Sequence, residues 1–158
     1  TLAAAAAGAQ VTHVDASKGM VTWAKENAVS SGLGDAPIRW LVDDCVKFVE
    51  REIRRGNTYD AIIMDPPSYG RGPKGEIWKI EDMIHPLIKL CTKILSKDAL
   101  FFLVNSYTTG LAPAVLTYMI STELKPWNGH VDSQEIGLPV TDSGLVLPCG
   151  ASGRWERD

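Results

Sequence analysis

The stretch YDAIIMDPPSYG, at residues 59–70, decides the fold and raises the question of function. Its apolar run ends at Met64 and changes at once into Asp65, two prolines and the pair Ser68-Tyr69. A short, continuous apolar run is typical of a strand buried on both faces in a parallel sheet. Because proline fixes the backbone angle φ, the residues after the strand form a rigid turn. The stretch therefore predicts a central strand whose carboxyl end holds an acidic group in one geometry.

The rest of the chain alternates apolar strands with helices. Predicted strands are Val11–Val14, Ile38–Val42, Tyr59–Met64 and Leu100–Val104. Predicted helices are Leu2–Ala7, Ser17–Ser30, Val46–Arg55, Ile80–Leu95 and Ala112–Thr122, with Trp23 expected in the core. A loop is predicted over residues 66–75, and short runs at residues 129–136 and 145–148 predict a closing antiparallel hairpin. This order predicts a single α/β domain over residues 1–158, with a Rossmann-like, doubly wound and mostly parallel sheet.

Composition and charge exclude several classes of protein. The chain has 158 residues and a net charge of −3, from 16 Lys and Arg against 19 Asp and Glu. A domain that captures nucleic acid by overall charge is normally basic, so any nucleic-acid contact here requires a local patch. The three cysteines form no CxxC pair, which argues against a disulfide framework and a zinc site. Since no membrane span or signal peptide is visible, we expect a cytoplasmic protein with no metal and no membrane partner.

Polar residues follow the predicted strands, and in parallel sheets ligands bind at the carboxyl ends of strands. Asp15 follows the first strand, where a carboxylate can accept from both hydroxyls of a ribose; the alternative is that it caps the helix beginning at Ser17. Asp44 follows the second strand and is the candidate for an adenine amino group, with the backbone N–H of Cys45 serving a ring nitrogen. Its neighbour Asp43 is expected to be solvated. The other strand ends are Asp65 and Asn105-Ser106.

These residues lie in segments that resemble a known family. The segments are VDASKGMVTWAKEN (14–27), WLVDDCVKFV (40–49), YDAIIMDPPSYG (59–70) and FFLVNS (101–106). In this order they resemble the class I S-adenosylmethionine-dependent methyltransferases, and within that class the bacterial large-subunit ribosomal RNA methyltransferases. The resemblance covers about residues 1–110. It implies S-adenosylmethionine as the cofactor and RNA, most of all ribosomal RNA, as the substrate.

The resemblance also implies roles for individual residues. Asp15 would hold the ribose and Asp44 the adenine, with Ser17 as a further candidate for a cofactor contact. The methyl-transfer site would be lined by Asp65, Pro66 and Pro67. Ser68 and Tyr69 would lie toward the substrate base.

The chemistry predicted from these motifs is direct methyl transfer to a base nitrogen. Methylation of a cytosine ring carbon needs a cysteine nucleophile, but neither VNSYTTG nor DPPSYG contains one, and Cys149 is expected to be a packed thiol. Tyr69 is then a stacking surface for the acceptor base and Asn105 a hydrogen-bond partner. Arg71 and Lys74, together with Lys79, are candidates for phosphate contacts.

Several alternatives remain open at this point. The family's glycine-rich first motif is expected just before Thr1, so we expect the chain to begin inside the domain and to bind the cofactor weakly or not at all by itself. One rival is a methyltransferase that acts on a protein or a small molecule, since a fold does not determine a substrate. Another is a non-catalytic module of the same fold. A dehydrogenase is disfavoured, because DPPSY has no role there. An exposed strand edge favours a homodimer.

Overall fold

The computed structural model describes residues 1–72, 75–108 and 110–158. By their internal contacts these residues form two compact units, Thr1–Arg55 and Gly56–Asp158. No helix in the described part of the chain is long and apolar enough to cross a membrane.

The first unit is built around two parallel strands. Its elements are α1 (Leu2–Ala6), β1 (Val11–Asp15), α2 (Lys18–Ser30), β2 (Ile38–Val42) and α3 (Cys45–Arg55). The strands pair in register from Val11 with Ile38 to Asp15 with Val42, so their carboxyl ends lie side by side. The sequence predicted each of these elements, with ends that differ by one residue at most.

Two helices provide the buried residues of the first unit. Helix α2 buries Val21 and Ala28, whereas Trp23 is 58% exposed, so the prediction of a core tryptophan is wrong. The reason is its position on the opposite side of the helix from Val21 and Ala28. Helix α3 buries Phe48, Val49 and the charged Glu52. The Glu52 carboxylate is paired with the guanidinium of Arg55 at 2.9 Å, which offsets the cost of burying the charge.

The second unit is a four-stranded sheet with a small separate hairpin. Its elements are β3 (Ala61–Met64), β4 (Tyr69–Arg71), β5 (Ile77–Lys79), α4 (Ile80–Thr92), β6 (Phe101–Ser106), α5 (Pro113–Glu123), β7 (His130–Pro139) and β8 (Val146–Glu156). The strand order is β3-β6-β8-β7, with β3 and β6 parallel and the other pairs antiparallel. The α/β class and the closing antiparallel hairpin are confirmed.

The stretch predicted as a loop, residues 66–75, is partly a hairpin. β4 and β5 pair antiparallel, with Tyr69 opposite Lys79 and Arg71 opposite Ile77. Each strand has only three residues, too few to show an alternation in sequence. Side chains at paired positions share a face of a ribbon, so these four side chains lie on one face.

The core of the second unit lies between its helices and the sheet. Fully buried side chains are Ile80, Ile88, Phe102, Val104, Leu116, Ile120, Leu124 and Trp155. Helix α5 packs closely on β8, because a Cβ at Gly153 would lie 2.8 Å from side-chain atoms of Leu116 and Ile120. Ser133 of β7 donates a hydrogen bond to the carbonyl of Pro113 at 2.7 Å, so this side of β7 faces the start of α5.

Candidate functional site

The carboxyl ends of β1 and β2 bring Asp15 and the pair Asp43-Asp44 together in the first unit. The backbone N–H of Asp43 donates to the carbonyl oxygen of Asp15 at 3.0 Å. Asp15 Oδ1 accepts from the N–H of Ser17 at 2.6 Å, and Ser17 Oγ accepts from the N–H of Met20 at 3.3 Å. Asp15 therefore orders the turn, and Ser17 is the N-cap of α2.

At the end of β2 the adjacent residues Asp43 and Asp44 have different partners. Asp44 Oδ1 accepts from the N–H of Lys47 at 2.9 Å and so caps α3. Asp43 pairs with Arg51 and accepts from the N–H of Asp44, so the expectation that it is solvated is wrong. Arg51 follows two turns later on α3, which puts its guanidinium within reach of the strand end. The thiol of Cys45 lies 3.9 Å from the Val14 carbonyl oxygen.

These strand ends leave acceptors for a ligand. Asp15 and Asp44 each use one carboxylate oxygen in a turn, and within the described residues the second oxygen has no hydrogen-bond partner. Both sites lie at the carboxyl edge of a parallel strand pair, where nucleotides bind in such folds. The arrangement fits the adenosine part of a cofactor, with one carboxylate for ribose hydroxyls and the other for an amino group.

In the second unit, three hydrogen bonds fix the turn that follows β3. Trp78 Nε1 donates to the carbonyl oxygen of Pro67 at 2.6 Å. The N–H of Ile80 donates to the carbonyl oxygen of Ser68 at 3.1 Å. The hydroxyls of Ser68 and Thr108 share a hydrogen bond of 2.6 Å. The exposed carboxylate of Asp65 therefore begins a turn that is anchored at both Pro67 and Ser68.

The face of the β4–β5 hairpin combines an aromatic ring with positive charge. Arg71 Nε donates to the hydroxyl of Tyr69 at 3.0 Å, and the Tyr69 side chain is 51% exposed. Lys79 lies opposite Tyr69 on the same face. An aromatic ring beside two cations can stack on a base and contact phosphates. Lys74, the other predicted phosphate contact, lies outside the described residues.

The end of β6 places its two polar residues on opposite faces of the sheet. Ser106 is fully buried, and its Oγ accepts from the N–H of Thr108 at 3.2 Å. Asn105 is half-buried on the other face, with Phe101 and Leu103. Both residues belong to the strand, which runs two residues further than the sequence predicted.

A cavity lies beyond the end of β6, and no local pattern in the sequence indicates it. Its volume is about 420 Å³, and it is lined by Tyr107, Thr108, Gly110, Leu111, Ala112, Pro113, Glu135, Pro148, Cys149, Gly150 and Ala151. Strand pairing explains how distant residues meet there. Ala151 of β8 lies between Ser106 of β6 and Glu135 of β7. Of the predicted site residues, Asn105, Asp65 and Tyr69 do not line this cavity, although Ser68 reaches its wall through Thr108.

Cys149 lies beside an irregularity in the hairpin. The β7–β8 register shifts between Ile136 and Gly137, and such bulges redirect side chains near functional sites. The half-buried thiol donates a hydrogen bond to the carbonyl oxygen of Leu147 at 3.3 Å. Across the described residues there is no group of three or more His, Cys, Asp and Glu side chains that could hold a metal ion.

Solved structures of known proteins match this architecture. A SAM-dependent methyltransferase from Agrobacterium tumefaciens superposes with a TM-score of 0.90 and 42% sequence identity, over 99% of this chain and 52% of that one. The chain resembles the class I methyltransferases. The class I methyltransferase fold agrees with the alternation of strands and helices in this chain and with the acidic residues at the carboxyl ends of its strands.

Two curated relatives of the chain are named as ribosomal RNA methyltransferases. The ribosomal RNA large subunit methyltransferase K/L of Shewanella frigidimarina is 32% identical over 93 residues, 55% of this chain and 13% of that protein. The ribosomal RNA large subunit methyltransferase K of Neisseria meningitidis serogroup B is 29% identical over 108 residues, 67% of this chain and 30% of that protein. The chain thus spans less than a third of these curated relatives. No protein-family profile matches it.

Proposed function

We propose that the protein is a cytoplasmic S-adenosylmethionine-dependent methyltransferase that methylates a base of RNA, most of all ribosomal RNA. The observation that carries the proposal is the turn Asp65–Tyr69, anchored to Trp78 and Thr108 at the carboxyl end of a parallel strand. Similarity to the Agrobacterium methyltransferase supports the reaction, and similarity to the two ribosomal RNA methyltransferases supports the substrate.

The first unit supplies the groups for the adenosine part of the cofactor. Asp15 accepts from the ribose hydroxyls with the oxygen that the Ser17 turn leaves unused. Asp44 accepts from the adenine amino group with the oxygen that does not cap α3. The backbone N–H of Cys45 serves a ring nitrogen. Ser17 contributes by holding the start of α2, since its hydroxyl is occupied as the N-cap.

The second unit supplies the groups for the acceptor. When bound, the cofactor supplies a methyl group that is already electrophilic, so the protein needs to contribute position and electrostatics rather than a covalent intermediate. Asp65 and the backbone of Pro66 and Pro67 orient the acceptor nitrogen, and Asp65 or water takes the proton that it loses. Tyr69 stacks on the base, while Arg71 contacts a phosphate. Asn105 offers a hydrogen-bond donor and acceptor.

A cysteine adduct is the second candidate mechanism, because Cys149 lines the cavity. Methylation of a pyrimidine carbon would require the thiolate to attack the ring first. The Cys149→Ala variant decides between the two. Direct transfer to nitrogen predicts that the variant keeps at least half of the methyl-transfer rate, whereas a loss of a thousandfold or more would establish the adduct mechanism.

The experiment that tests the proposal uses the full-length natural protein. Calorimetric titration with S-adenosylhomocysteine is compared among the unmodified protein, Asp15→Ala and Asp44→Ala, with Asp35→Ala as a matched control in an exposed loop of the first unit. We expect the first two variants to weaken binding at least tenfold and the control to have no effect. Transfer of a radiolabelled methyl group to ribosomal RNA is then measured. Cofactor binding without transfer to RNA, protein or small molecules would favour a non-catalytic module.

A further inference from the structure

We propose that the cavity beyond β6 receives a base of the RNA that neighbours the acceptor base, and that Glu135 determines which base is accepted there. The inference rests on the proposed RNA methyltransferase function and names the substrate group that this site takes. Glu135 would accept hydrogen bonds from an N–H edge of the base, so the site favours adenine, cytosine or guanine over uracil.

The size of the cavity suits a nucleic-acid base. Its volume of about 420 Å³ lies in the range of small-molecule pockets, about 300–1,000 Å³. Small residues and prolines form much of the wall, so little side-chain volume intrudes. Tyr107 is 57% exposed at this wall and offers a ring face. A base in a loop or extruded from a helix could stack there.

Charge in the cavity is concentrated at one residue. Glu135 is the charged side chain among the described lining residues, and within the described chain it forms no ion pair. A carboxylate is an acceptor only. Adenine and cytosine present an amino group, and guanine presents two adjacent N–H donors. In uracil the ring N–H lies between two carbonyl oxygens, which repel the second carboxylate oxygen.

The sheet fixes the backbone of Glu135, whose side chain is exposed. Glu135, Ala151 and Ser106 are paired across β7, β8 and β6, so their side chains share one face of the sheet. Ser133, two residues earlier on the same face, is hydrogen-bonded to the carbonyl of Pro113 at the start of α5. Glu135 therefore lies beyond that contact, facing the cavity wall formed by the residues before α5.

The cavity is also connected to the acceptor turn. Thr108 lines the cavity and shares a 2.6 Å hydrogen bond with Ser68. Ser68 is followed by Tyr69, and two residues later by Arg71, whose Nε donates a hydrogen bond to the Tyr69 hydroxyl. A nucleotide with its base in the cavity would have cations of the β4–β5 hairpin available for its phosphates. Glu135 alone could also attract a lysine or arginine side chain of a protein ligand. The cations of the hairpin, together with the acidic cavity, favour RNA instead.

The test measures binding of three hexanucleotides, oligo(A), oligo(C) and oligo(U), by the full-length protein with S-adenosylhomocysteine present. The variants are Glu135→Gln and Glu135→Ala, and Glu50→Gln, an exposed acid on α3, is the control for the change in net charge. We expect the unmodified protein to prefer oligo(A) or oligo(C) over oligo(U) by about tenfold. Glu135→Gln should reduce this preference to about twofold, because an amide can also donate to a uracil carbonyl. The control should keep it.

Three results would overturn the inference. One is an unchanged base preference in both Glu135 variants, and another is no preference in the unmodified protein. The third is a lysine- or arginine-containing peptide that competes for the site more strongly than any oligonucleotide. Binding of S-adenosylhomocysteine is measured in parallel on every variant and should stay unchanged. Its absence in the unmodified protein would instead contradict the proposed methyltransferase function.

Discussion

Replacing Ser68 by alanine, Thr108 by valine, and both together measures how strongly the acceptor turn is connected to the cavity wall. The two hydroxyl oxygens are 2.6 Å apart, and valine keeps the shape of threonine while it removes the hydroxyl. A neutral hydrogen bond contributes a net ~0.5–1.5 kcal/mol to stability. Because Ser68 is exposed, we expect the lower part of that range, about 0.5–1 kcal/mol.

The expected shifts follow from the size of the chain. For 158 residues, a change of 1 kcal/mol in the free energy of unfolding shifts Tm by about 2–4 °C. Each single substitution should therefore lower Tm by about 1–4 °C. Since both substitutions break the same bond, the double mutant should lose little more than either single mutant. If the bond positions the turn, each substitution also lowers kcat for methyl transfer about 3- to 10-fold.

The control is Ser96→Ala, which removes a hydrogen bond of 2.7 Å to Asp60 Oδ1 in the same unit. It should lower Tm by a similar amount without changing kcat. Thermal unfolding by circular dichroism and a radiolabelled methyl-transfer assay give the two readouts. Fully additive losses of stability in the double mutant would refute the bond. An equal fall of kcat in Ser96→Ala would refute its role in positioning.

Three further substitutions test two packing contacts of the second unit and one ion pair of the first unit. Gly150→Ala should destabilise by about 1–3 kcal/mol in urea unfolding, because its Cβ would lie 2.0 Å from the Ser106 carbonyl oxygen; Gly70→Ala, where a Cβ would meet ordinary contacts at 3.7 Å, is the control. Ile88→Ala should cost about 2–5 kcal/mol, since the side chain is fully buried, and a smaller loss would mean that α4 does not pack as described. Arg51→Ala should lower the free energy of unfolding by about 1 kcal/mol or less, because its pair with Asp43 is partly exposed. A loss above about 3 kcal/mol would show that the pair is more buried than this exposure indicates.

Local patterns in the sequence were sufficient for the elements and for the acidic strand ends. The apolar runs and helix caps give the bounds of the elements of the first unit, and the turn after Met64 is recognisable from its prolines. β8 extends to Glu156, well beyond the run predicted at residues 145–148. Asp15 and Asp44 could be placed because each lies at the carboxyl end of a strand. All of these signals lie within a few neighbouring residues.

The cavity could not be predicted, because it depends on pairings between distant residues. Glu135 and Tyr107 meet only when β7, β8 and β6 align, and the bulge beside Gly137 sets which residues face inward. The bond between Ser68 and Thr108 joins residues 40 positions apart. Burial was also misjudged for Trp23, because its spacing from Met20 fits an apolar helix face, whereas the buried face carries Val21 and Ala28.

The strand order of the second unit has a consequence for how the protein folds during synthesis. Among the strands of this unit β8 is synthesised last, yet it lies between β6 and β7 and pairs with both. Until Trp155 has emerged, β6 is paired on one side only and β7 has no partner within this sheet. Unpaired strand edges are prone to aggregate in nascent chains. The growing polypeptide therefore exposes the edges of β6 and β7 until β8 joins the sheet.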